Sequence, residues 1–131
     1  MEWQRYSTGS AFERDYSYSR AVHDDEWVFV SGTTGFDYTD MSISDDPATQ
    51  ARQTLANVSG ALEACGSSLA EVHSYLLVVS ERRHVEPVLS VFASAYPGKP
   101  TGTLIIAGLI DERIVVELEV RARKGWTTPS E

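Results

Sequence analysis

The 131-residue sequence predicts an α+β fold, in which a single mixed six-stranded sheet carries two helices packed on one face. Three observations lead to this prediction. Two segments place apolar residues at helical spacing, six others have the composition and period of strands, and the elements follow in the order (β)ββ–α–β–α–ββ. One domain is expected over residues 1–131, with its core at about 16–123.

Composition excludes several classes of function. The formal net charge of −8 argues against a nucleic-acid partner, because such proteins gather phosphates on basic surfaces. No apolar run approaches the roughly 20 residues of a membrane span, and no secretory signal pattern is present, so no membrane partner is expected. The one cysteine, Cys65, is interpreted as a core residue, which indicates a reducing, cytoplasmic location. Neither a metal nor a cofactor is expected.

The first part of the chain predicts three strands. Residues 2–8 are an edge-strand candidate, whereas residues 9–15 are polar and are expected to be irregular. Residues 18–22 and 27–31 flank an acidic turn and predict a hairpin. Residues 36–44 are small and polar, and we expect a connecting loop there.

Two helices are predicted from their end signals and their apolar stripes. Asp46 is an N-cap candidate, Pro47 suits the first helical position, and Gly66 is a stop signal. The apolar stripe between them consists of Ala51, Leu55, Val58, Leu62 and Cys65. The second helix is expected at about residues 84–96, because Pro87 is tolerated only in a first turn.

The last part of the chain predicts three more strands, at residues 73–80, 103–109 and 114–122. The unbroken apolar run at 103–109 is typical of a strand buried on both faces. A turn at 110–113 joins it to the final strand, so the two are expected to form a hairpin. Residues 124–131 are expected to be a polar tail.

The final strand alternates, and this places two carboxylates on one face. Glu117 and Glu119 point to the face opposite Val116 and Leu118, with about 7 Å between them along the strand. They are interpreted either as solvated residues or as part of a site, and the residues alone leave both open.

One face of the predicted sheet has no cover from this chain. Both predicted helices pack on the other face, so Trp27, Phe29 and the face of Val115 are expected to be exposed. An apolar sheet face without cover predicts self-association.

Four ordered segments resemble the Rid family, also called the YjgF or endoribonuclease L-PSP family. They are YSRAV at 18–22, WVFVSG at 27–32, QARQTL at 50–55 with ACGSSL at 64–69, and IVVELEV at 114–120. The resemblance spans about residues 18–122. It implies the chorismate mutase-like YjgF fold and a homotrimer whose sheets form a central barrel, with a small-molecule site in each cleft between subunits.

The resemblance also implies an activity, the hydrolysis of reactive imines and enamines such as 2-aminoacrylate, with release of ammonia. Glu117 matches the glutamate that orients the attacking water, and Tyr18 matches the site tyrosine. Gly32 matches a backbone contact to the substrate. These residues also have plain structural interpretations: Tyr18 as a packing residue and Gly32 as a turn glycine.

The sequence departs from the family at the residue that would anchor a substrate carboxylate. The arginine position falls on Gly102, and neither Thr101 nor Thr103 restores it; the accompanying cysteine is replaced by Leu104. Losing a bidentate contact of this kind costs on the order of 2–4 kcal/mol. We therefore expect Gly102, Thr103 and Leu104 to line a roomier cleft for a different substrate, with Arg113 as the nearest alternative cation.

Two functions from different classes follow. The first is a RidA-like hydrolase, an imine or enamine deaminase, acting on a metabolite other than 2-aminoacrylate. The second is a non-catalytic trimer that binds small molecules or proteins in the same clefts. A ribonuclease, which one family name suggests, is disfavoured by the net charge, because the only local basic cluster is Arg82, Arg83 and His84.

Overall fold

The computed structural model describes residues 2–127, which form eight strands and three α-helices. The strands are β1 (Gln4–Tyr6), β2 (Ala21–His23), β3 (Trp27–Thr33), β4 (Phe36–Asp37), β5 (Ser42–Ile43), β6 (Val72–Val79), β7 (Thr101–Ile106) and β8 (Val116–Arg123). The helices are α1 (Ala11–Asp15), α2 (Pro47–Ala64) and α3 (Val85–Phe92). The tail expected at 124–131 falls partly outside the described residues, which stop at 127.

Six strands form one mixed sheet in the order β1-β2-β3-β8-β6-β7. Only β6 and β7 pair in parallel; the other neighbours are antiparallel. The last strand of the sequence, β8, therefore lies in the middle of the sheet, between β3 and β6. The predicted mixed six-stranded sheet is confirmed.

The core lies between this sheet and the helices α2 and α3. Alternate residues of β8 enter it, as the sequence pattern predicts, and Val116 and Leu118 are fully buried. The other buried members from the helices and the neighbouring strands include Val28, Val30, Ala51, Val58, Leu62, Leu77, Val88 and Phe92. The predicted stripe of α2 is confirmed, including Cys65, which is 2% exposed.

The end signals of α2 act as predicted. The Asp46 carboxylate accepts a hydrogen bond from the Thr49 amide at 2.9 Å, which satisfies a free donor of the first turn. Gly66 follows the helix with φ +84°, a conformation that favours glycine. The second predicted helix is shorter than expected, because α3 ends at Phe92 rather than near Tyr96.

The predicted hairpin of the last two strands is wrong. β6 lies between β7 and β8, so that among the described strands β7 pairs only with β6 and forms an edge of the sheet. Because of this edge position, β7 is exposed in the single chain rather than buried on both faces, and Ile105 is 42% exposed. An apolar run indicates a strand but does not say which strand is its neighbour.

The segments expected to be irregular hold local structure. The polar segment 9–15 contains α1, so the helices number three among the described residues rather than two. Residues 36–44, expected to be a loop, contain the short β4–β5 hairpin. The strand expected at 18–22 begins only at Ala21, and Tyr18 therefore precedes it.

The outer face of the sheet carries Trp27 and Phe29, both partly exposed as expected. Their rings are 6.3 Å apart, and Trp3, 54% exposed, meets Phe29 edge-on. Val115, in contrast, is buried and belongs to the core cluster, and its amide donates a hydrogen bond to the Gln50 side chain at 2.6 Å. Within residues 2–127 no helix is long and apolar enough to cross a membrane.

Candidate functional site

Glu117 sits near the start of β8, on the outer face of the sheet. The start of this strand is fixed by Gln50, a fully buried side chain of α2. The Gln50 amide oxygen accepts hydrogen bonds from the Val115 and Val116 amides, and its nitrogen donates to the Ser44 and Arg113 carbonyls. A buried side chain with all its groups satisfied holds the strand, and with it Glu117, in one place.

An open pocket of about 440 Å³ lies around Glu117. It is lined by Phe12, Tyr16, Tyr18, Arg20, Ser31, Gly32, Thr34, Ile110, Ile114, Glu117 and Glu119. The pocket thus brings together three residues expected from the sequence to form a site, namely Tyr18, Gly32 and Glu117.

Gly32 lies directly beneath the Glu117 carboxylate. A Cβ atom at this position would lie 2.7 Å from Glu117 Oε1 and 2.8 Å from its Cδ, which is closer than side chains approach one another. The absence of a side chain at Gly32 therefore lets the carboxylate rest against β3.

The Glu117 carboxylate is half-buried and has no hydrogen-bond or ion-pair partner among residues 2–127. Burial raises its pKa; the nearby charge of Arg20 opposes this rise, and the charge of Glu119 adds to it. An unpaired carboxylate with a raised pKa can accept a proton from water and return it, which is what a general base and acid requires.

Arg20 forms the inner wall of the pocket and is only 3% exposed. Its Nη1 donates to the Gly32 carbonyl at 2.7 Å and to Thr33 Oγ1 at 2.8 Å. Its Nη2 donates to the Tyr18 hydroxyl oxygen at 3.2 Å, and its Nε donates to Glu13 Oε2 at 3.4 Å. The guanidinium thus ties the backbone at Gly32 to the side chain of Tyr18.

Glu13 balances the charge of Arg20. It is 4% exposed and accepts hydrogen bonds from the Ser7 hydroxyl at 2.8 Å, the Thr8 amide at 3.1 Å, the Thr8 hydroxyl and the Ser10 hydroxyl at 2.8 Å. Burial alone would raise its pKa, but these donors and the charge of Arg20 outweigh burial and lower the pKa. The Glu13 carboxylate is therefore negatively charged, and its charge balances the positive charge of Arg20.

The hydrogen bond from Arg20 also orients Tyr18. Because the phenol oxygen accepts from the guanidinium, its own proton is free to point elsewhere. Tyr18 is 37% exposed and lines the pocket, so this proton can be donated to a bound molecule.

The residues expected around Gly102 do not enter this pocket. Gly102 pairs with Tyr75 and shares its face of the sheet, the one covered by the helices. A Cβ at Gly102 would lie 2.0 Å from Cζ of Tyr75, so the ring fills the space that was expected to widen the cleft. Leu104 packs against the core on the same face. The single chain therefore has no extra room in the side-chain direction of Gly102, whereas Gly102 does line the neighbouring groove on the outer face. Its expected contact with the substrate stays a prediction.

Thr103 and Arg113 are placed elsewhere. Thr103 is exposed on the outer face, where it lines a groove of about 280 Å³ together with Glu119 and Arg121. Glu119 borders both this groove and the pocket around Glu117. Arg113 binds Asp111 through two contacts, at 2.8 and 3.1 Å, and does not line the pocket.

Two residues of the site, Glu13 and Arg20, were missed from the sequence. The spacing of Ser10 and Glu13 is that of a capping box, and the Ser10 hydroxyl does accept from the Glu13 amide at 3.3 Å. This signal could have revealed α1. Nothing in the sequence indicates that Glu13 also turns inward to Arg20, because that contact depends on how α1 meets β2 and β3.

Comparison with known proteins agrees with the fold and the sequence pattern. The family model described as Endoribonuclease L-PSP matches residues 8–124. The chain is similar to a crystal structure of a YjgF/YER057c/UK114 family member from Mycobacterium tuberculosis, with 34% identity over 93% of this chain and 99% of that one and a TM-score of 0.81. It is also similar to RidA from an Antarctic Psychrobacter, with 26% identity over 82% of this chain and 88% of that one and a TM-score of 0.76.

A structure described as a putative endoribonuclease L-PSP from Entamoeba histolytica shares the fold, with a TM-score of 0.82. Its identity is 22% over 93% of this chain and 99% of that one. The family match over nearly the whole chain and the shared mixed sheet with its two covering helices lead to one conclusion: the chain belongs to the Rid/YjgF family.

Proposed function

We propose that this protein is a RidA-like hydrolase, a deaminase that releases ammonia from a reactive imine or enamine other than 2-aminoacrylate. The observation that carries the proposal is the unpaired, half-buried Glu117 carboxylate, which lies over Gly32 in a pocket that Tyr18 also lines. β7, whose sequence is TGTLII, contains no basic residue that could anchor a 2-imino acid carboxylate.

The reaction follows from the position of these groups. Glu117 accepts a proton from water while the water oxygen bonds to the carbon of the C=N group. Tyr18 donates a hydrogen bond to the substrate nitrogen as it gains electron density. Glu117 passes the proton taken from water to the nitrogen, which gives the neutral carbinolamine. It then accepts the proton of the carbinolamine hydroxyl and delivers it to the nitrogen, so that the C=O bond forms as the C–N bond breaks, and ammonia and a carbonyl compound leave. An enamine substrate first takes a proton at carbon to give the imine.

The test is ammonia release from imines generated enzymatically in the presence of the protein. The wild-type protein is expected to exceed the rate of spontaneous hydrolysis for imines that lack a carboxylate. Glu117→Ala is expected to lower that rate at least about 100-fold, the usual contribution of a general base. Glu63→Ala, on the exposed face of α2, is the matched control. No rate above background in the wild type, or an unchanged rate in Glu117→Ala, would sink the proposal.

A non-catalytic binding protein is the second candidate, favoured by the absence of the anchoring arginine from β7. It predicts ligands that raise the melting temperature without being turned over. A ribonuclease remains disfavoured, because Glu117 and Glu119 would repel a phosphate backbone.

We also propose a homotrimer in which the open sheet face is buried, within a cytoplasmic setting suggested by the single Cys65. The exposed parts of Trp3, Trp27, Phe29 and Ile105 support self-association through this face. Light scattering is expected to give a mass three times that of the 14.5 kDa chain. A monomer would contradict both the trimer and a site between subunits.

A further inference from the structure

Within the single chain, the polar groups of the pocket around Glu117 carry an excess of negative charge. Arg20 is the one cation of its wall among residues 2–127; it is already neutralised by buried Glu13, and four of its five N–H groups are used in hydrogen bonds within the chain. Glu117 and Glu119 remain, and neither carboxylate has a hydrogen-bond or ion-pair partner among residues 2–127. Arg121, next along the outer face, lines the neighbouring groove instead.

The rest of the wall is aromatic and aliphatic. Tyr16 and Ile110 are 64% and 71% exposed in the single chain, and both line the pocket. Phe12 and Ile114 extend this apolar wall inward. Aromatic rings beside carboxylates form a favourable environment for an organic cation, because the ring faces attract positive charge and the carboxylates accept its N–H groups.

We propose that this pocket binds an organic cation, an ammonium or iminium group that carries an apolar substituent. The cationic group contacts Glu117 and Glu119, and the substituent lies against Tyr16, Phe12 and Ile110. The formal net charge of −8 attracts such a ligand from a distance and repels an anion. This inference rests on the proposed function only because it concerns the same pocket. If both hold, the substrates of the hydrolase are imines that carry a positive charge rather than a carboxylate.

The test compares three ligands with one skeleton and different charges: benzylammonium, benzyl alcohol and benzoate. Each is titrated into the full chain at neutral pH and low salt, and binding is followed by ligand-detected NMR. Benzylammonium is expected to bind at least about tenfold more tightly than the alcohol, and benzoate more weakly than either. Benzoate binding as tightly as benzylammonium, or no preference among the three, would overturn the proposal.

Variants locate the binding. Glu117→Gln is expected to weaken benzylammonium about tenfold and to leave benzyl alcohol unchanged, whereas Glu63→Gln removes the same charge from an exposed helix face and should change neither. Glu119→Gln provides the same test at a second carboxylate should Glu117→Gln fail to fold. Tyr16→Ala, at an exposed position, should weaken both ligands a few-fold. Equal affinities for benzylammonium in the wild type and in both glutamine variants would contradict the inference.

The outcome is separate from that of the proposed hydrolase. Cation binding without ammonia release would support this inference and contradict the proposed hydrolase. Ammonia release from carboxylate-bearing imines, without preferential binding of benzylammonium, would support the proposed hydrolase and contradict this inference.

Discussion

Two carboxylates, Glu13 and Glu117, both interact with the charge of Arg20 but have opposite environments. Glu13 is almost fully buried, and donors from Ser7, Thr8 and Ser10 surround it. Glu117 is half-buried and has no donor within residues 2–127. The pKa of Glu13 is lowered and that of Glu117 is raised, although both feel the same guanidinium charge. Burial alone therefore does not tell a structural carboxylate from a reactive one; the supply of hydrogen-bond donors does.

The largest effect is expected from Glu13→Gln. This variant keeps the shape of the side chain but leaves the Arg20 guanidinium buried without a countercharge. Breaking a buried ion pair in this way costs about 3 kcal/mol or more, and the free energy of unfolding, measured by denaturant titration, should fall accordingly.

The matched control for this prediction is Glu81→Gln. Glu81 pairs with Arg83 on the surface, where both side chains are more than half exposed. Such pairs contribute less than about 1 kcal/mol. Equal losses in the two variants would mean that the Glu13–Arg20 pair has no special role in the fold.

Gly32→Ala is expected to affect Glu117 rather than stability. The new Cβ would lie 2.7 Å from Oε1 of Glu117, and the carboxylate, as the end of a flexible side chain, would move away. A displaced base costs roughly tenfold or more in rate. The measurement is ammonia release or, independently of catalysis, the affinity for benzylammonium.

Gly108→Ala is the control for the same substitution, since a Cβ at Gly108 has no atom within 4 Å among the described residues. It should leave both measurements unchanged. A full rate in Gly32→Ala would show that the close approach of the carboxylate to β3 is incidental.

The sequence predicted one side of this comparison and not the other. The alternation of β8 is local, so the outward position of Glu117 could be inferred from the residues alone. Gly32 was expected only through the resemblance to the family, as a backbone contact to the substrate, and its close approach to Glu117 was not predicted. Glu13 lies in a polar segment whose sequence has no apolar pattern that would indicate burial. Its contact with Arg20 depends on the tertiary fold, which the sequence pattern does not reveal.

The outcome at Gly102 has a different cause. Matching Gly102 to the family assigned a role to this position, but it did not show toward which face of the sheet a side chain there would point. That face depends on the pairing of β7 with β6. That pairing places Gly102 beneath the Tyr75 ring, on the face away from the pocket. Strand order, which decides these contacts, is not encoded in the period of a single strand.

The smallest effect, and the one that tests the comparison most directly, is the pH dependence of stability. Arg20 and Glu119 are the charged groups that face Glu117, and with burial they leave its pKa raised. The favourable contribution of Glu117 to the free energy of unfolding is therefore complete at acid pH, and it is lost as the pH rises through the folded-state pKa. Glu117→Gln should therefore match the wild type at acid pH and become the more stable of the two toward neutral pH.

Glu13 predicts the opposite trend in the same measurement. The pKa of Glu13 is lowered in the folded protein. Its contribution to the free energy of unfolding is therefore complete above pH 4.5, the ordinary pKa of a glutamate, and is lost as the pH falls through the folded-state pKa. The deficit of Glu13→Gln should therefore be largest near neutral pH and shrink in acid. Denaturant titrations of both variants across this range should give differences from the wild type of opposite sign. Two differences of the same sign would mean that donor supply does not distinguish the two carboxylates, and Glu117 would lose its claim to be the reactive one.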